Sequence, residues 1–242
     1  MNDSILSVDL SLSARTENVR DRSCCETVRF NLEEIYTHFV ENIEAINKQN
    51  EVINNLKNTS NFSEAKVIMR SQIVFLASSL DFYMHELTKY GLCQIYDEIW
   101  SKTEKYEHIT IDMKTLEVPL KYEVSSDWFL DCVNELYRNV TMVSYSSIKT
   151  QINLLGLDFK EIAKKAFYQQ GSTEKPKDKM ERILTLLFKR RNIIAHQFDR
   201  EHSNAEIQEI SEDIVSYFVE NVKIIVDAIQ SYAKEKDKDI YL

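Results

Sequence analysis

Glycine and proline are nearly missing from this chain, with three Gly (Gly91, Gly156, Gly171) and two Pro (Pro119, Pro176) in 242 residues. Average usage would give about seventeen and about twelve. No two Gly lie close enough to write G-x-G-x-x-G or G-x-x-x-x-G-K-[ST], so a Gly-rich backbone cradle for phosphate is excluded. A β-sandwich or barrel needs a tight turn every few residues, and the turn formers for it are lacking. Collagenous and linker-rich architectures fall for the same reason. With 43% hydrophobic residues and so few breakers, what remains is an all-α chain of long helices.

Other scarcities narrow the setting. The four Cys (Cys24, Cys25, Cys93, Cys132) show no metal-ligand spacing, and an adjacent pair cannot make C-x-x-C chemistry, so a reduced, cytoplasmic compartment is expected. His38, His85, His108 and His202 have no ligand partners at metal spacing, so neither metal nor cofactor is expected. The first 25 residues lack an apolar signal core, and no uncharged apolar stretch of about 18 residues exists, so no membrane span is expected. The net charge of −9 argues against a generally basic nucleic-acid binder, though not against a local basic site.

Residues 1–25 are polar and Ser-rich and read as an N-terminal arm, leaving 26–242 as a single helical domain. From about Glu26 the helical period sets in, with Val28, Leu32, Ile35, Phe39, Ile43, Ile46, Val52, Ile53 and Leu56 recurring at roughly helical steps. Asn58-Thr-Ser-Asn61 breaks it. A second helix, apolar almost all round from Ile73 to Leu80, is expected from Ser63 to Tyr90, with Gly91 ending it. Residues 92–104 look helical again, and about 105–125 form an irregular insertion containing Val118-Pro119. Shorter helices follow over Asp127–Tyr137, Ser146–Leu155 and Asp158–Gln170. A loop around Pro176 leads to a helix over about Lys179–Gln197, and a long last helix over about Ala205–Lys234.

One segment carries a chemical signal: Lys189-Arg-Arg-Asn-Ile-Ile-Ala-His196. Leu184, Leu187, Arg191 and Ile194 share one helical stripe, which puts Arg191 in an apolar seam. Arg cannot escape desolvation by losing its proton, so it must be paired, reach an edge, or lie where the seam opens onto an interface or cleft. Asn192 and His196 are four apart and can touch. Arg191 and His196 are about 140° apart around an ideal helix, so a site using both sits at the helix end or between two helices, including two copies of this one. Arg and His suit phosphodiester chemistry: one stabilises anionic oxygens, the other moves a proton. Residues 172–200 hold eight Lys or Arg against four acids, while the rest of the chain carries −13, so a basic strip lies on an acidic body. A plainer reading stands beside this one, since a basic cluster with His in a last turn also suits the helix macrodipole.

The motif in its setting, RNIIAH at the end of a helix that follows a loop and precedes a long final helix, resembles the R-x4–6-H motif of HEPN domains, closest to the RiboL-PSP-HEPN type. Met69 to Leu87, apolar with Asp81 in the middle, is similar to that family's central helix. Ser144 to Leu157 and the Asp158 helix are similar to the segment before its motif helix. The likeness covers about residues 65–235.

The resemblance implies a HEPN-like helical bundle of long antiparallel helices with an insertion of shorter ones. It implies a homodimer whose motif helices face each other, and metal-independent endoribonuclease activity on single-stranded or loop RNA, often in toxins or anti-phage effectors with a cognate antitoxin or defence-system partner. The products would be a 2′,3′-cyclic phosphate and a 5′-OH. Arg191, Asn192 and His196 would be catalytic, with Lys189 and Arg190 as substrate-binding cations. Asp81 is either an orienting partner for the Arg or His or a salt-bridged structural acid. Members that lost activity imply the alternative, a non-catalytic nucleotide- or protein-binding module. Phe198 stands where one branch carries a Tyr that its antitoxin modifies, so that mode of regulation is not expected here.

Overall fold

Five of the described helices open on a short polar side chain that accepts from their first backbone N–H groups. The computed structural model describes residues 28–113, 116–117, 127–201 and 203–238. The expected arm, with Cys24 and Cys25, lies outside these residues, as do His202 and part of the expected insertion, including Val118 and Pro119. Helix α1 (Leu32–Asn58) opens on a capping box: the Asn31 side chain accepts from the Glu33 and Glu34 backbone N–H at 2.9 and 3.0 Å, while Glu34 accepts from the Asn31 N–H at 2.8 Å. Helix α1 thus begins at Leu32, and Val28 and Val52, both expected in the period, are exposed.

A turn through Ser60, in the left-handed region, leads into α2 (Phe62–Tyr96). The two helices run antiparallel: Phe39 packs on Tyr83, while further along α1 the Ile46 carbonyl accepts from Gln72 at 2.9 Å. Helix α2 has nineteen buried residues and is the central element around which the rest pack.

Gly91 does not end α2. The helix runs five residues past it to Tyr96, because Gly91 serves packing rather than a turn. A Cβ there would lie 2.7 Å from Leu155 Cδ2 and 2.8 Å from Trp100 Cζ3. Only a residue without Cβ lets Leu155 and the returning Trp100 come this close to the backbone. Helix α3 (Glu104–Glu107) is a single turn capped by Thr103.

Helices α4 (Trp128–Tyr137) and α5 (Tyr145–Leu154) start on Asp127 and Ser144 caps, and α6 (Phe159–Phe167) starts on Asp158, which accepts from Lys160 and Glu161 N–H. Gly156 follows α5 at φ +68°, the conformation that suits Gly just beyond a helix. Helix α6 stops at Phe167, short of Gln170. Helix α7 (Pro176–Gln197) begins at Pro176 itself, which occupies the first helical turn rather than the preceding loop, since its missing N–H would have no partner there anyway.

The last helix, α8, spans Glu212–Lys238; residues 205–211, expected to be helical, are a loop tied to Arg200 by an antiparallel bridge at Ile207. Tyr83 donates to Gln230 (3.0 Å), and Tyr90 and Trp100 both donate to Asp237 (2.7 Å each), so α8 runs parallel to α2. The Gln230 amide donates to the Leu32 carbonyl (2.6 Å) and Tyr36 to Asp227 (2.7 Å), which binds α8 antiparallel to α1. The eight helices, with no strand among the described residues, form an all-α, HEPN-like bundle. No described helix is long and apolar enough to cross a membrane.

Candidate active site

The motif lies in the last two turns of α7. Leu184 and Leu187 are fully buried, whereas Arg191 and Ile194 on the same stripe are only half-buried. The apolar seam therefore reaches the surface at Arg191, one of the outcomes the sequence allowed. Its guanidinium donates to Asn192 Oδ1 at 3.0 Å and has no acidic partner among the described residues. His196, one turn on, is exposed. Lys189 is exposed as well and makes no ion pair among the described residues.

Arg190 is placed quite differently. Its Nη2 lies 2.7 Å from Asp199 Oδ2 and also donates to the Glu209 carbonyl (2.8 Å), while Nη1 donates to Gln208 Oε1 (2.6 Å). Burial pulls this guanidinium below its ordinary pKa, with Asp199 acting against it. Asp199 is wholly buried and also accepts from Arg70 Nε of α2 at 2.8 Å. Arg70, itself buried, donates to the Gln208 and Lys66 carbonyls. A carboxylate between two guanidiniums thus fastens the end of α7 to the central helix and to the 205–211 loop. Arg190 is committed to this internal network, which leaves Lys189 and Arg191 as the motif cations open to a ligand.

Asp81 is not brought to the motif. Its Oδ1 accepts from the Met142 N–H at 2.5 Å, and Oδ2 lies 3.9 Å from His85 Nε2, so it holds the segment before α5. The acid that does adjoin the motif, Asp199, went unnoticed in the sequence. The available signal was a pair: Arg70 just ahead of the apolar run of α2, and an Asp just past the motif.

The backbone beyond His196 is unusual. Helix α7 ends on Phe198 at φ 51°, ψ 38°, and Asp199 follows at φ 61°, two successive non-Gly residues in the left-handed region. The Phe198 N–H bonds the Ile194 carbonyl and the Asp199 N–H the Ile193 carbonyl, both at 3.1 Å, while the Asp199 carbonyl accepts from Gln208 N–H at 2.8 Å. The Arg70–Asp199–Arg190 clamp and these bonds over-determine the strained turn. No three His, Cys, Asp or Glu side chains gather as a metal site among the described residues.

A helical bundle whose penultimate helix ends in R-x4-H, half-buried Arg and exposed His, is the arrangement expected of a HEPN domain. The RiboL-PSP-HEPN family model matches residues 37–235, and the chain belongs to that family within the HEPN superfamily. Membership marks it as a nuclease- or RNA-related module. No curated protein and no solved structure matches the chain.

Proposed function

We propose that the chain is a metal-independent endoribonuclease acting on single-stranded or loop RNA through a composite site at a homodimer interface. One observation carries the reading: of two adjacent arginines, Arg190 has both terminal nitrogens tied within the fold, while Arg191 keeps a guanidinium without a carboxylate on the same helix end as an exposed His196. A half-buried cation with no counter-charge is costly unless an anion is delivered to it, and a phosphodiester is such an anion.

In this mechanism His196 of one protomer takes the proton of a ribose 2′-OH as its oxygen attacks the adjacent phosphorus. The P–O5′ bond breaks, and His196 of the other protomer supplies the proton to the departing 5′ oxygen. Arg191 neutralises the charge building on the non-bridging oxygens, with Asn192 holding the guanidinium in place. The products are a 2′,3′-cyclic phosphate and a 5′-OH. The 140° offset between Arg191 and His196 suits two helices better than one, and Lys189 adds charge at the rim. Cleavage of cellular RNA is the activity of a toxin or anti-phage effector, and we include that role, in the cytoplasm and with a cognate antitoxin or defence partner, in the proposal.

The test is cleavage of a ribo-oligonucleotide in EDTA by the parent, Arg191→Ala and His196→Ala proteins, each shown to be folded by circular dichroism. The parent cleaves and leaves cyclic phosphate ends, and each variant loses activity by about a hundred-fold or more. Equal cleavage by folded variants refutes the site. Binding without turnover by the parent refutes the enzyme and favours a binding module.

A further inference from the structure

We propose that Phe198 is a nucleobase-stacking platform, an inference that rests on the ribonuclease reading of the same site. The residue combines two features that the fold itself does not need. Its backbone is in the left-handed region at the end of α7, where Gly or Asn is at ease and an aromatic side chain is crowded. Its ring is 61% exposed and makes no ring contact among the described residues, so it contributes little to the core. A strained backbone and a wet aromatic at one residue persist only where something holds them, and the Arg70–Asp199–Arg190 clamp begins at the next residue.

The surroundings fit RNA. Phe198 is two residues from His196, so their Cα atoms are no more than about 7 Å apart. A base stacked on this ring therefore belongs to a nucleotide next to the phosphate that His196 and Arg191 address. From Lys189 to Glu201 the other exposed side chains are Lys189, Ala195, His196, Arg200 and Glu201, and across the bridge from Arg200 stands a single exposed apolar side chain, Ile207. A lone ring between His196 and Arg200 suits a base attached to a phosphate chain, whereas a protein surface calls for a wider apolar patch than one ring and one aliphatic side chain. Stacking also tolerates any base, because every base has a π-face.

The test uses a fluorescein-labelled single-stranded ribo-oligonucleotide bound to the His196→Ala protein, so that nothing is cleaved during titration. Added to this background, Phe198→Gly and Phe198→Leu weaken binding by about ten-fold or more, while Phe198→Trp retains it. In the otherwise unaltered protein, Phe198→Gly raises KM for cleavage more than it lowers kcat. Phe198→Gly melts no lower than its parent, since Gly relieves the left-handed strain; this separates loss of a ligand contact from loss of fold. If the parent cleaves RNA but Phe198→Gly and Phe198→Leu bind as tightly as Phe198, the platform is refuted and the ribonuclease reading stands. If Phe198→Gly instead reduces the solution mass and the remaining dimer binds RNA normally, Phe198 is an interface residue and the proposal fails. If the parent neither binds nor cleaves RNA, both readings fail together.

Discussion

Replacing Asp199 with Asn removes one negative charge from between two guanidiniums and little else, because Asn tolerates the left-handed backbone as Asp does. The Asp199 side chain is 0% exposed, with Arg70 and Arg190 at 9% and 15%, so water cannot readily compensate either cation. Taking one partner from a buried ion pair costs about 3–5 kcal/mol. Here the lower end applies, since Arg70 keeps the Lys66 and Gln208 carbonyls and Arg190 keeps Gln208 Oε1 and the Glu209 carbonyl. A loss of about 3 kcal/mol at a urea slope of about 3 kcal/mol/M lowers the denaturation midpoint by about 1 M. Arg70→Met combined with Asp199→Asn removes one of the stranded cations and returns part of the loss, so the two changes do not add. The assay is urea unfolding at neutral pH for the parent, both single variants and the double. A midpoint for Asp199→Asn within about 0.3 M of the parent, or strict additivity in the cycle, would refute the clamp.

Two further outcomes follow from the packing. Gly91→Ala gains roughly 1 kcal/mol of helix propensity but drives a methyl group against Leu155 and Trp100 at under 3 Å. Overpacking of that kind costs about 1–3 kcal/mol, so the variant melts lower than the parent, and an unchanged or higher midpoint in a thermal scan contradicts the close approach. The Cys93 thiol is pushed up to about 12 by burial, against an ordinary value of 9, despite the opposing charge of Arg29. Folding holds the thiol protonated, so this contribution to stability is complete below pH 9. Above pH 9 it falls by about 1.4 kcal/mol per unit as the pH climbs towards the folded value. Alkylation at pH 8 followed by peptide mass spectrometry finds Cys93 unlabelled in the native protein and labelled in urea; rapid native labelling overturns the assignment.

Elements that could be read from the sequence are those decided within a few residues. The all-α class follows from the shortage of breakers. Asp127 and Asp158 cap the helices they precede because a side-chain oxygen reaches N–H groups only two or three residues away. The motif was legible for the same reason: Arg191 sits in the stripe of Leu184 and Leu187 by helical geometry alone, and its half-burial was one of few outcomes open to it.

What failed to be legible depends on groups distant in sequence. Gly91 carries the composition of a helix end, yet the helix passes through it because Leu155, 64 residues later, needs the space of a missing Cβ. Arg190 and Arg191 are adjacent and chemically alike. Which one is locked and which is left open is settled by Asp199 and by Arg70, 129 residues before it. Asp81 was open, in the sequence, to an orienting or a structural role, and its Oδ1 accepts from Met142, 61 residues later. The sequence by itself determined the all-α class, the caps at Asp127 and Asp158 and the chemistry R-N-I-I-A-H can offer, since these are local matters of period and hydrogen-bond reach. Only the tertiary structure decided which cation stays free and that Phe198 stands in solvent on a strained turn. Charge pairing and burial join residues that the chain order keeps apart.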